Sequence, residues 1–331
     1  MGIKKGMRVF KKVVFSIVIF LLSFFVSSLF FSSCEEEKVT IASVNFNSDI
    51  EWFREAAVGM KDAAKKYNVE FVNVDTYYDI ESEFESAKNL ASENVDAVVF
   101  CPLDFEKSAC TAEYLNQCGI PVVTWNTLID TPVVKSRIVS DSVALGSQTG
   151  DYLVGYFSAH NLTGVKAAMI SNYSYTVSAD RCNGFKSSVK PLLDFEKMKI
   201  VCEIPCELTA ETKRNVRQLL EKNPDIQLIW CWNQTTLLAC LSVLKETNRT
   251  DILLCGADLS LDLAKEMLNP DSNLIVVTTQ QPYLMGFTAF ENAIVAYSGR
   301  PVEENVVIPV ITYTKDNTES LRRYIESQKV R

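Results

Sequence analysis

From residue 39 onward the chain switches repeatedly between short β-branched runs and longer segments with apolar residues at helical spacing, and this alternation restricts the fold more than any other feature. Strands are predicted over 39–46, 69–74, 97–101 and 121–125, with helices over 51–67, 81–92 and 105–117 between them. The helix over 51–67 is the clearest, with Phe53, Ala56, Ala57, Met60, Ala63 and Ala64 on one face. A second series places helices over 142–158, 179–189, 210–222 and 235–245 between strands over 165–171, 200–204, 227–232 and 252–255. A strand over 274–279, a helix over 282–297 and a strand over 306–310 follow. Such repetition implies parallel sheets with helices on both faces. The expectation is an α/β protein of two doubly wound, Rossmann-like lobes with a cleft between them. A chain of 331 residues, 47% of them hydrophobic, can bury two such cores.

Several function classes lose their chemistry at once. With 33 Lys plus Arg against 41 Asp plus Glu the chain carries a formal charge of -8, which repels nucleic acid. The single histidine, His160, removes His-cluster metal sites and leaves Ser-His-Asp or Cys-His catalysis one possible base. The 12 glycines form neither GxGxxG nor a Walker A loop, so no nucleotide cradle and no cofactor is expected. Asp104 and Asp258 can be imagined as a glycosidase pair, but no acidic motif or spacing singles them out. No enzyme is expected.

The first 12 residues carry Lys4, Lys5, Arg8, Lys11 and Lys12 and no acid, and an apolar stretch then runs over 13–31. This is a basic region followed by a hydrophobic one, as in export signals. The stretch ends Phe31-Ser32-Ser33-Cys34, followed by three glutamates. It resembles a bacterial lipoprotein signal, which implies removal of 1–33, acylation of Cys34 and a tether over 34–38. Phe31 departs from the leucine common in that pattern. An uncleaved anchor or an ordinary secretory signal would equally place the remainder outside the cytoplasm. Loss of 1–33 removes positive charges only. The nine cysteines after Cys34 are an odd number with no CxxC, and Cys101, Cys231 and Cys255 lie in apolar runs, so buried free thiols are expected over one disulfide or a reactive thiol.

Ligands of doubly wound sheets bind beyond the carboxyl ends of the strands. The residues there read Phe46-Asn47-Ser48, Cys101-Pro102-Leu103-Asp104, Trp125-Asn126-Thr127, Asn172-Tyr173-Ser174-Tyr175, Trp232-Asn233-Gln234, Gly256-Ala257-Asp258 and Gln280-Gln281-Pro282, rich in amides and aromatics. Ordinary turn chemistry explains any one of the amides. Together with Trp52-Phe53 at the first helix, Val58-Gly59-Met60-Lys61-Asp62-Ala63-Ala64 within it, Arg181-Cys182-Asn183-Gly184-Phe185 and the run from Gln280 to Gly286, these segments resemble type I periplasmic binding proteins of the ribose- and galactose-binding group, the sugar receptors of ABC importers. The likeness spans nearly all of 39–312. It departs at Asn126-Thr127, where the ribose type has Asp-Arg, at Ile50-Glu51, where an Asn precedes the aromatic pair, and at Cys101, where a polar residue precedes Pro102.

The resemblance implies two lobes joined by a three-stranded hinge: 39–140 with 281–310, and 141–280 with 311–331. It implies a ligand site of Trp52, Phe53, Asn126, Arg181, Trp232, Asn233, Asp258 and Gln280. Asp accepts, Arg donates and the amides do both, while aromatic faces suit sugar C–H surfaces. Burial at a helix start explains Trp52 and Phe53 without a ligand, and a structural ion pair does the same for Arg181 and Asp258. The implied protein is a monomeric, lipid-anchored, extracytoplasmic receptor for a small neutral sugar or polyol. Its partner is an ABC permease or, alternatively, a membrane histidine kinase or chemoreceptor.

Overall fold

The computed structural model describes residues 38–330. Residues 1–37, which hold the expected signal segment, Cys34 and nearly all of the tether, lie outside the described residues.

The first sheet contains β1 (Thr40–Asn45), β2 (Glu70–Asp75), β3 (Ala97–Phe100), β4 (Val122–Trp125), β5 (Ser136–Ser140) and β11 (Asn305–Ile308), in the order β11-β5-β4-β3-β1-β2. All of its pairings are parallel. Ile41, Ala42 and Val44 in β1 and all four residues of β3 are buried, as strands covered on both faces must be. The covering helices are α1 (Glu51–Tyr67), α2 (Ile80–Ser92), α3 (Ala109–Gln117) and α10 (Pro282–Tyr297).

The second sheet contains β6 (Val165–Ser171), β7 (Met198–Pro205), β8 (Leu228–Cys231), β9 (Leu253–Ala257), β10 (Leu274–Thr279) and β12 (Ile311–Thr314), in the order β12-β10-β9-β8-β6-β7. Its helices are α4 (Ser142–Ala159), α5 (Thr176–Ser188), α6 (Lys190–Asp194), α7 (Thr209–Lys222), α8 (Gln234–Glu246), α9 (Leu261–Met267) and α11 (Thr318–Val330). The chain passes between the sheets after β5, after β10 and between β11 and β12. The architecture is the expected α/β arrangement of two doubly wound lobes, with one addition: β12 runs antiparallel to β10 at the sheet edge.

Elements that the periodicity did not predict have local causes. β5 reads Ser-Arg-Ile-Val-Ser, too polar for a buried-strand signal, because Ser136 Oγ donates to the Glu303 carbonyl and Arg137 to that of Thr131. β12 is a half-exposed edge, and α6 and α9 are too short to show a period. The helix expected over 105–117 begins only at Ala109. The Asp104 carboxylate accepts from the amides of Glu106 and Lys107 and holds the preceding residues in a turn.

Two glycines set how close α4 and α5 lie. A Cβ on Gly146 would fall 1.9 Å from the Arg181 carbonyl oxygen, and one on Gly184 would fall 2.2 Å from that of Val143. The backbones touch where side chains would otherwise separate them, and this contact places Arg181. All nine cysteines among the described residues are free thiols; Cys101, Cys182, Cys206, Cys231, Cys240 and Cys255 are buried. Cys231 and Cys240 bring their sulfurs to 3.4 Å, in contact but unbonded. No helix among the described residues is long and apolar enough to cross a membrane.

Candidate functional site

The strand ends of the second sheet converge on one charged network. Arg181, on α5, donates from Nη1 to Asp258 Oδ2 at 2.7 Å and to the Trp232 carbonyl at 3.3 Å. Its Nη2 donates to Gln280 Oε1 at 3.2 Å. Trp232, just past β8, fixes its own ring by donating Nε1 to the Cys206 carbonyl at 2.8 Å, and the guanidinium lies 6.0 Å from the ring centroid. Arg181, Trp232, Asp258 and Gln280 are all buried, at 5–7% exposure. Burial pushes the Asp258 carboxyl above the ordinary carboxylate range, while Arg181 pulls it the other way. Two atoms of this network have no hydrogen-bond partner among the described residues: Arg181 Nε and Asp258 Oδ1. A buried acceptor and a buried donor left over in one place can hold a ligand hydroxyl.

The first lobe contributes aromatic surface. Trp52 stacks on Trp125 with ring centroids 5.6 Å apart and planes 7° apart, and its edge meets Phe53 at 5.0 Å. Phe46 packs on Phe53 and on Tyr78, both at 5.2 Å. The indole N–H groups of Trp52 and Trp125 are buried without partners among the described residues. Asn126 adopts φ +66 immediately after β4, and Asp258 adopts the same φ immediately after β9. Asn and Asp tolerate this left-handed geometry better than other L-residues, so both strands can turn sharply at the sheet edge. Tyr77 and Tyr78, after β2, also have positive φ, and at bulky side chains that is stored strain.

Some sequence candidates already have partners within the protein. Asn233 is the N-cap of α8, and its Oδ1 accepts from the amide and hydroxyl of Thr236, both at 2.9 Å. Asn126 directs its amide to Cys101 Sγ at 3.7 Å and to the Thr127 hydroxyl at 3.5 Å, both weak contacts that a better acceptor can replace. Phe53 is buried against Phe46 and Trp125. Asp104 is spent on its own turn. Phe46 and Trp125 stand among the strand-end residues read from the sequence but not in the implied ligand site, and Tyr78, just beyond β2, is in neither; the structure packs all three into the aromatic group around Trp52 and Phe53. Glu51 was noticed only as a departure. Its carboxylate reaches the other lobe, accepting from Gln234 Nε2 at 3.2 Å and from the Leu261 amide at 3.4 Å.

Among known proteins, residues 41–301 match the periplasmic binding protein domain family. The chain belongs to that family. An ABC transporter periplasmic-binding protein of Escherichia coli is 23% identical over 86% of this chain and 88% of the relative. A ribose import binding protein of Bacillus subtilis is 24% identical over 76% of this chain and 79% of its own length. Solved structures agree in fold. An ABC transporter solute-binding protein of Mycobacterium smegmatis with bound glycerol superposes with a TM-score of 0.75 at 21% identity, covering 86% of this chain and 96% of that one. One from Bacillus halodurans with bound myo-inositol gives 0.74 at 21% identity, covering 89% and 99%. The fold is that of type I periplasmic binding proteins, and family members are binding proteins, in keeping with the expectation of no catalytic activity.

Proposed function

We propose that this protein is an extracytoplasmic solute receptor that takes a small neutral sugar or polyol into the cleft between its lobes and delivers it to an ABC importer. One observation carries the reading: Arg181 and Asp258 neutralise each other at 2.7 Å yet keep an unpaired donor and an unpaired acceptor buried beside aromatic surface. Such a site offers hydrogen bonds without net charge, which suits hydroxyls and disfavours ions. Trp52, Phe53 and Asn126 would face the ligand from the first lobe, and Arg181, Trp232, Asn233, Asp258 and Gln280 from the second. A ribose import binding protein among the relatives, and the glycerol and myo-inositol bound in the two solved structures, are of this chemistry. The lobes are proposed as 39–140 with 281–310 and 141–280 with 311–331, and lipidation at Cys34 as the anchor. Mass spectrometry of membrane-extracted protein checks that anchor; an unmodified Cys34 peptide would refute it.

A thermal-shift screen across pentoses, hexoses, polyols and charged sugar acids tests the ligand class. A neutral compound at 100 times its dissociation constant should add about 2.7 kcal/mol. Stabilisation by sugar acids alone would overturn the neutral-ligand reading.

A further inference from the structure

The two lobes are tied by a contact that no ligand has to make. Glu51 is the first residue of α1, in the first lobe. Both partners of its carboxylate lie in the second: Oε2 accepts from Gln234 Nε2 at 3.2 Å, and Oε1 accepts from the Leu261 amide at 3.4 Å. Gln234 and Leu261 are the first residues of α8 and α9, so two helix starts of the second lobe converge on one carboxylate of the first. One turn along α1, Glu55 Oε1 accepts from Gln328 Nε2 at 3.1 Å. Gln328 lies on α11, whose Leu321 is buried in the core of the second lobe. Residues 51 and 55 share a face of α1, and that face meets the opposite lobe.

We propose that Glu51 is a closure latch: its carboxylate bridges the lobes directly and sets the balance between open and closed forms, and so the residence time of whatever the cleft holds. The inference rests on reading the cleft as a site that closes around its ligand. Glu51 is the immediate neighbour of Trp52, and Gln234 of Asn233, so the bridge stands at the edge of the candidate site. A bond made only when the lobes meet adds to the closed state alone, and a group of that kind acts on dissociation more than on association. The latch is a positioning device; Glu51 itself need not touch the ligand.

The test uses E51A, Q234A and the double variant of the full chain. Small-angle scattering is recorded without sugar and with D-ribose, xylitol or myo-inositol as probes, alongside stopped-flow tryptophan fluorescence. E51A should show a larger radius of gyration than the wild type without sugar. For any probe that compacts the wild type, its dissociation rate should rise about tenfold with little change in association. Q234A removes the partner from the other lobe without touching α1, so it should shift both readings in the same direction even if E51A folds poorly. The double variant should add little, as for two ends of one interaction. Equal radii without sugar together with equal dissociation rates in E51A and Q234A would overturn the latch. If none of the probes compacts the wild type, the sugar reading falls instead, and the sugar-free comparison still judges the latch.

Discussion

Asp258→Asn removes the charge opposite Arg181 while keeping the shape of the side chain. The guanidinium then has only neutral acceptors: the Trp232 carbonyl, Gln280 Oε1 and the side-chain oxygen of the new amide. Breaking a buried ion pair from one side costs about 3 to 5 kcal/mol, and the retained oxygen of Asn puts this case near the lower figure. At roughly 2 to 4 °C per kcal/mol for a chain of this order of size, Tm should fall by about 6 to 12 °C. Binding should suffer separately, because Asp258 Oδ1 is the acceptor left over for a ligand hydroxyl. Losing a charged partner inside a closed cleft costs about 2 to 4 kcal/mol, or roughly thirty-fold or more in affinity. The double variant R181M/D258L separates the two effects. Replacing both members of a buried pair with apolar groups is often neutral for stability, so its Tm should recover while binding stays lost. Melting curves beside calorimetric titrations with the sugar found in the ligand screen provide both readings. Wild-type affinity in folded D258N and in folded R181M/D258L would make the pair purely structural and remove the basis of the proposed site.

Other consequences follow from particular contacts. Gly146→Ala sets a methyl 1.9 Å from the Arg181 carbonyl oxygen, so α4 and α5 must part; Tm should drop by several degrees and affinity should weaken, whereas Gly155→Ala, with open space around it, should do neither. Native protein treated with a thiol reagent should label Cys110 and Cys118 first, since these are exposed, and Cys231 and Cys255 only on unfolding, because burial both covers these thiols and pushes them above their usual range; fast labelling of Cys231 would contradict the packing. Glu83 is buried, accepts from the Leu103 amide and the hydroxyls of Ser108 and Thr111, and is raised above the ordinary carboxylate range by its burial. A raised carboxyl adds stability that is present below its unfolded value, about 4.3, and lost as pH rises through the folded one. Glu83→Gln should therefore gain in Tm relative to the wild type between pH 4 and 7, and a relative loss over that interval would show that the three donors outweigh burial.

The alternation of strands and helices was readable along the chain because a strand buried on both faces needs an uninterrupted apolar run, as in Ala97–Phe100 and Leu228–Cys231, and a covering helix needs one apolar face, as in Glu51–Tyr67. Candidate residues at strand ends were readable for a related reason: the sheet topology sends those positions to the cleft whatever the side chain is. Arg181, Asp258 and Gln280 could be picked out one by one, but not their union, since Arg181 stands 77 residues from Asp258 and 99 from Gln280 and no local pattern connects them. Local reading set Asn233 and Trp125 at strand ends but could not show that the Asn233 oxygen caps its own helix or that the Trp125 ring stacks on Trp52. Edge strands such as Ile311–Thr314 left no signal because a half-exposed strand puts little apolar constraint on its sequence. The chain's own order of residues thus determined the layers and the inventory of polar and aromatic groups. Only the tertiary structure decided that Glu51 reaches Gln234 across 183 residues of sequence, and which buried donors and acceptors were left without partners. Backbone periodicity is a local property, whereas hydrogen-bond satisfaction depends on every group that folding brings within about 3 Å.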